Sequence, residues 1–147
     1  MPSYTKNKKA YHDYEILQDF EAGIVLNGDE VKSVKGNRAN LKGGHIRIIQ
    51  DEAFMFETHI SPYPNSSRKE PNPTRNRKLL LHKKEIGKID RALSEKGATC
   101  VPLEMYSKQG LIKIRIGICR GKKLHDKREV LKQRSQQRDI ERQLKNY

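Results

Sequence analysis

The chain has no tryptophan, three phenylalanines and two cysteines among its 147 residues, and each scarcity closes a route. Aromatic rings are the usual platforms for unpaired bases, and Phe20, Phe54 and Phe56 fall in apolar strand-like runs that predict burial, so a single-stranded nucleic acid read by stacking is a poor fit. Cys100 and Cys119 have no CxxC neighbour and no histidine at ligand spacing, which reads as two buried free thiols. The five histidines, His12, His45, His59, His82 and His125, are scattered without an HxxxH pair, so no metal site is expected. No GxxxxGK[ST] occurs, which leaves nucleotide hydrolysis unsupported and no cofactor implied. No apolar run approaches the roughly 20 residues of a membrane-spanning helix, and Lys6, Lys8 and Lys9 are not followed by the apolar segment of a secretory signal. A cytoplasmic protein with no membrane partner is expected.

What the chain has in excess is positive charge. Thirty-one Lys and Arg stand against 18 Asp and Glu, for a formal net charge of +13 and a pI near 9.8. A field of that sign favours a polyanion, and nucleic acid is preferred over an anionic membrane because no basic helix with a broad apolar face appears. With little aromatic surface expected outside, folded RNA read by backbone, 2′-OH and shape is the better partner. The enzymatic alternative is a metal-independent ribonuclease using His59 and His82 as acid and base with Lys113 at the phosphate. Scattered histidines in a basic chain more often serve as surface contacts.

The apolar residues concentrate between Tyr11 and Ile118, although mean hydropathy is −0.92 overall. This predicts a flexible basic N-terminus at 1–10, one folded domain at 11–119 and a basic tail at 120–147. Tyr14 to Leu26 reads as a strand bent near Gly23. A short helix follows from Glu30 to Lys35, with Asp29 as its cap and Gly36 as its stop. His45–Ile49 and Ala53–Ile60 read as a hairpin, and Ser61–Arg77 as a proline-rich basic loop. Lys83–Lys96 has the spacing of an amphipathic helix, with Ile86, Ile89 and Leu93 on one side and Gly97 beyond. Strands at Ala98–Met105 and Leu111–Ile118 complete the set. In the last, Ile112, Ile114, Ile116 and Ile118 alternate with Lys113, Arg115 and Gly117, so one face is core and the other cationic. Five or six short strands with two or three helices predict a mainly β fold, a small antiparallel barrel, closed or partly open.

The last 28 residues carry ten Lys or Arg against four Asp or Glu, with an apolar content too sparse to dock a helix on a core. They contain no Gly or Pro after Gly121, so a partner could stabilise helix there. Lys127, Arg134, Arg138 and Lys145 would then fall within a sector of about 40° and form a cationic stripe. A solvated tail that is disordered when free accounts for the same composition.

Five segments carry a more specific signal: Glu30-Val31-Lys32-Ser33, Arg38-Ala39-Asn40-Leu41, His59-Ile60-Ser61-Pro62-Tyr63, Arg77-Lys78-Leu79-Leu80-Leu81-His82, and Gly121-Lys122-Lys123-Leu124-His125-Asp126-Lys127-Arg128. In residues, order and spacing they resemble the SmpB family, the small protein B of bacterial trans-translation, from about Asn7 to Arg138. The resemblance implies an oligonucleotide-binding-type (OB-like) barrel and an adaptor without enzymatic activity. The adaptor would bind the tRNA-like part of transfer-messenger RNA as a monomer and bring it, with elongation factor Tu and GTP, to stalled ribosomes.

By the same resemblance, Glu30, Lys32, Arg38, Asn40, Leu80 and Lys113 are carried over as RNA-binding positions. For Leu80 the residues alone leave two readings open, an ordinary core leucine and an apolar contact under a base. Glu30 could accept from a base or serve simply as a first-turn acid. Gly121, Lys122, Lys123, His125, Asp126, Lys127, Arg128, Arg134 and Arg138 are implied to enter the decoding centre and vacant message path, against small-subunit ribosomal RNA. There the tail would become helical. Gly36-Asn37, Gly43-Gly44 and Ser66-Ser67-Arg68 depart from the family pattern.

Overall fold

In the computed structural model, which describes residues 3–62 and 72–121, the chain forms β1 (Ser3–Lys6), α1 (Lys8–Asp13), β2 (Tyr14–Ile24), α2 (Gly28–Lys35), β3 (Ala39–Asn40), β4 (His45–Ile49), β5 (Glu52–Phe56), β6 (His59–Ile60), β7 (Arg77–Leu80), α3 (Lys83–Leu93), β8 (Ala98–Lys108) and β9 (Leu111–Gly121). The isoleucine alternation places β9 at the heart of a seven-stranded sheet ordered β1-β8-β9-β2-β7-β5-β4, with every ladder antiparallel. β3 and β6 pair separately. The large sheet curls until β4 lies against β8, but no ladder joins those two strands, so the barrel is of the partly open kind. Ile114, Ile116 and Ile118 fill its interior with Phe20, Ala22, Ile46, Met55, Leu79 and Met105. Burying each large aliphatic side chain contributes about 1.5–3 kcal/mol. Ile89 of α3 and Val34 of α2 are fully buried in the same cluster, and these two helices cover its openings.

The N-terminus differs from the flexible arm expected at 1–10. Asn7 is buried, donating from Nδ2 to Pro102 O at 2.8 Å and accepting at Oδ1 from Ala10 N at 3.1 Å, while its own N–H reaches Leu103 O at 2.7 Å. One asparagine thus caps α1 and ties it to β8, and Ser3–Lys6 adds a strand to the sheet edge. A basic composition hid this because Ala10 and Tyr4 are the only apolar anchors among the described residues there.

Other boundaries moved for local reasons. α2 is capped by Asn27, not Asp29: Glu30 N donates to Asn27 Oδ1 at 2.9 Å, and Asn27 N donates back to Glu30 Oε1 at 3.0 Å. The β4–β5 hairpin turns in two residues, Gln50 and Asp51, with φ of 51° and 63°, the left-handed pair that suits strand twist. Gln109 and Gly110, with φ of 51° and 78°, do the same for β8 and β9, so those strands run longer than their alternation suggested. Glu57, at φ 59°, ends β5 and separates off β6. The Gly43-Gly44 departure also has a reason, since a Cβ at Gly44 would lie 2.3 Å from Thr58 Cγ2. α3 stops at Leu93, with Ser94 Oγ donating to Arg91 O at 2.6 Å.

Candidate RNA interface

Because the isoleucines of β9 point inward, Lys113 and Arg115 point out. Gly23 of β2 pairs with Lys113 on one side and with Leu80 of β7 on the other, so Leu80, Gly23 and Lys113 form one row across three strands. Lys113 in turn pairs with Tyr106 of β8. Leu80 is 55% exposed, which removes the core reading of that residue. It lies over Gly23, where an added Cβ would stand 3.2 Å from Leu80 Cβ and 3.3 Å from its Cδ1. The glycine lets the leucine lie flat on the sheet.

The next row holds Glu21 opposite Arg115. Glu21 accepts from the Tyr106 hydroxyl and from Lys108 Nζ at 3.1 Å. The Tyr106 hydrogen bond holds the Glu21 carboxyl below its ordinary range, with Lys108 and Lys113 adding to the effect. Arg115 lies 5.6 Å from the Tyr106 ring centroid. An exposed aliphatic side chain, several cations and one fixed carboxylate therefore share this outer face. The sequence reading missed Glu21, Tyr106 and Lys108; the only clue was the alternation of β9 carried across to its unknown neighbours.

Glu30 is arranged differently. Its carboxylate is buried and receives Arg77 Nη2 at 2.7 Å, Arg77 Nε at 2.9 Å and Arg75 Nε at 2.9 Å, in addition to the Asn27 N–H. Arg75 Nη2 also bonds its second oxygen. Arg77 is itself fully buried and donates to Thr58 O at 2.9 Å and Pro73 O at 3.0 Å. Burial pushes the Glu30 pKa up, but the hydrogen bonds from Arg75, Asn27 and Arg77 outweigh it and hold the carboxyl below its ordinary value of 4.5. Glu30, an expected RNA-binding position, thereby ties α2 to β7 and to the segment before β7.

The remaining expected positions divide. Lys32 is exposed on α2; Arg38 is exposed after the left-handed Asn37, and Asn40 is exposed on β3 with Oδ1 accepting from Lys42 N at 2.9 Å. These share no ladder with the Leu80–Lys113 row. His59 lies opposite Asn40 in the small sheet, whereas His82 caps α3, so the acid–base pair of a ribonuclease shares neither element nor ladder. Among the described residues no group of His, Cys, Asp and Glu could hold a metal ion. Gly121 ends β9, paired with Tyr14. Lys122, Lys123, His125, Asp126, Lys127, Arg128, Arg134 and Arg138 lie outside the described residues, as does the 63–71 part of the central loop.

Phe54 and Phe56 were expected in the core, but Ala53 and Met55 are the fully buried residues of β5 and the two rings are only half-buried on its other face. A run of four apolar residues gave no phase from which to choose.

Comparison with known proteins agrees with the segments singled out above. The sequence model of a family described as "SmpB protein" matches residues 4–146. An SsrA-binding protein of Limosilactobacillus reuteri is 50% identical over 142 residues, which cover 97% of this chain and 90% of the relative. One from Listeria welshimeri is 52% identical over 140 residues, 95% of this chain and 91% of the relative. A solved structure described as "tmRNA-SmpB: a journey to the center of the bacterial ribosome" superposes with a TM-score of 0.70 at 40% identity, covering 83% of this chain and 85% of that one. With the family matched over nearly its whole length, this chain belongs to the SmpB family.

Proposed function

We propose that the protein is an RNA-binding adaptor of trans-translation. It binds the tRNA-like domain of transfer-messenger RNA and delivers it to stalled ribosomes for peptide tagging and ribosome rescue. Relatives named SsrA-binding proteins and the likeness to a tmRNA–SmpB structure support the partner. The observation that carries the reading onto residues is the outer row of Leu80, Gly23 and Lys113. An exposed leucine laid flat between strands offers an apolar bed for a base, Lys113 and Arg115 neutralise phosphates, and Glu21 accepts from a base amino or sugar hydroxyl. Lys32, Arg38 and Asn40 contribute a second set of contacts from α2 and β3. Glu30 acts through the frame that it ties together.

Residues 120–147 enter the decoding centre and the vacant message path, with His125 stacking on or hydrogen-bonding a base and Lys127 and Arg128 on phosphates. The protein works as a cytoplasmic monomer without a cofactor and performs no catalysis; elongation factor Tu with GTP joins through the RNA. The test separates the two activities. Lys113→Ala should weaken binding to the tRNA-like domain in a filter assay, whereas changing Asp126, Lys127 and Arg128 together to Ala should leave that binding intact and abolish tagging of a nascent chain. A tail variant that lost RNA affinity to the same degree as Lys113→Ala would overturn the division.

A further inference from the structure

The half-buried rings of β5 do not stand alone. His45 and Phe56 are direct cross-strand partners, with ring centroids 5.5 Å apart and planes 13° from parallel. The Arg47 guanidinium lies 5.4 Å from the Phe56 centroid. Phe54, two residues along on the same face, pairs with Arg47 on β4 and with Lys78 on β7. The interior is filled from the opposite faces of these strands by Ile46, Ala53, Met55 and Leu79, so the rings are not required to complete the core. Glu52, which pairs with Lys78, supplies negative charge among these cations.

We propose that His45, Phe56, Arg47 and Phe54 form a stacking platform for an unpaired base of the same RNA whose folded part lies on the Leu80–Lys113 row. The inference rests on the adaptor reading above and extends it. His45, Phe56 and Arg47 already stack on one another, so a base extends the stack on the outward faces of the cluster, and the cations interleaved with it offset the charge of the adjoining phosphate. Lys78 and Leu80 stand two apart on β7 and both are exposed, so the platform runs without a break into that row. One RNA can therefore cover both. The ring-poor composition had argued against stacking because these rings were assigned to the core; on the outer face they support it.

The absence of tryptophan makes the test direct, since Phe56→Trp gives the full-length chain a single indole, excited selectively over its six tyrosines, at the platform. Two results are expected with tRNA-like domain RNA alone. The indole is quenched at RNA concentrations that saturate a parallel filter assay, and the double variant Phe54→Leu/Phe56→Leu binds about tenfold more weakly with an unchanged salt slope. Thermal melts accompany the leucine variant; should it unfold, the fluorescence result decides alone. A tryptophan that stays bright at saturating RNA, one quenched only when ribosomes are added, or a folded leucine variant with undiminished affinity overturns the platform and leaves the adaptor reading standing. Failure of the unsubstituted protein to bind the RNA overturns both.

Discussion

Glu30 and Glu21 are two carboxylates on one strongly basic chain, each held by two neighbouring side chains, and they do opposite things. Glu30 sits in the first turn of α2 with Arg77 fully buried against it, so its charge is spent inside the protein. Glu21 lies outside, held by Tyr106 and Lys108 beside Lys113, and its charge faces whatever the sheet meets. A buried ion pair that loses one partner leaves an uncompensated charge, whereas an exposed pair is screened and its loss costs little. Residue type and the sign of the neighbouring charges do not separate the two cases. Burial does.

The contrast breaks most visibly at Glu30. Glu30→Ala should cost about 3–5 kcal/mol in urea unfolding, because Arg77 keeps its buried guanidinium without a counter-charge; a variant as stable as the parent but unable to bind RNA would reverse the roles assigned here. The same tie predicts acid sensitivity. The Glu30 pKa is depressed on folding, so its contribution is fully present above the ordinary value of 4.5 and is lost as pH falls below it through the lower folded-state value. Urea titrations over that window should show the parent losing stability more steeply than Glu30→Gln. On the outer face the order inverts: Lys113→Ala and Leu80→Ala should each weaken RNA binding by about 1–2 kcal/mol while changing stability by no more than about 0.5 kcal/mol. Salt sharpens this pair, since Lys113→Ala should reduce the slope of log affinity against log salt by about one and Leu80→Ala should leave it alone. The smallest effect belongs to Glu21→Gln, which should alter stability by about 0–1 kcal/mol, and a thermal melt checks it.

The parts of the fold written in periodicity were legible. The inward isoleucines of β9 and the Ile89, Leu93 part of the α3 stripe lie where their spacing puts them, while Ile86, expected on the same face, is only half-buried and stays outside the core cluster. What stayed hidden depends on partners distant in sequence. Arg77 reads as the end of a basic loop until Glu30, 47 residues away, supplies the charge that lets it be buried and start β7. Phe54 and Phe56 had no phase, and Asn7 showed its value only once Pro102 and Leu103 were known to lie beside it. Of the site, the resemblance picked out Leu80 and Lys113 without showing that they are neighbours across Gly23. It also picked out Glu30, without showing that Arg75 and Arg77 hold its carboxylate.

β9 has a mechanical consequence. Lys113 and Gly121 lie on one strand that is laddered on both sides, to β2 from Gly23 through Tyr14 and to β8 from Lys108 through Ala98. At roughly 3.4 Å per residue the eight steps between them span about 27 Å. The strand is thus a ruler: whatever docks at the Lys113 end and whatever receives the chain beyond Gly121 are held at a separation that the sheet keeps stiff. An adaptor that must reach two places at once gains its reach from this backbone, and one that lost the ladder would lose the spacing even if every contact residue remained.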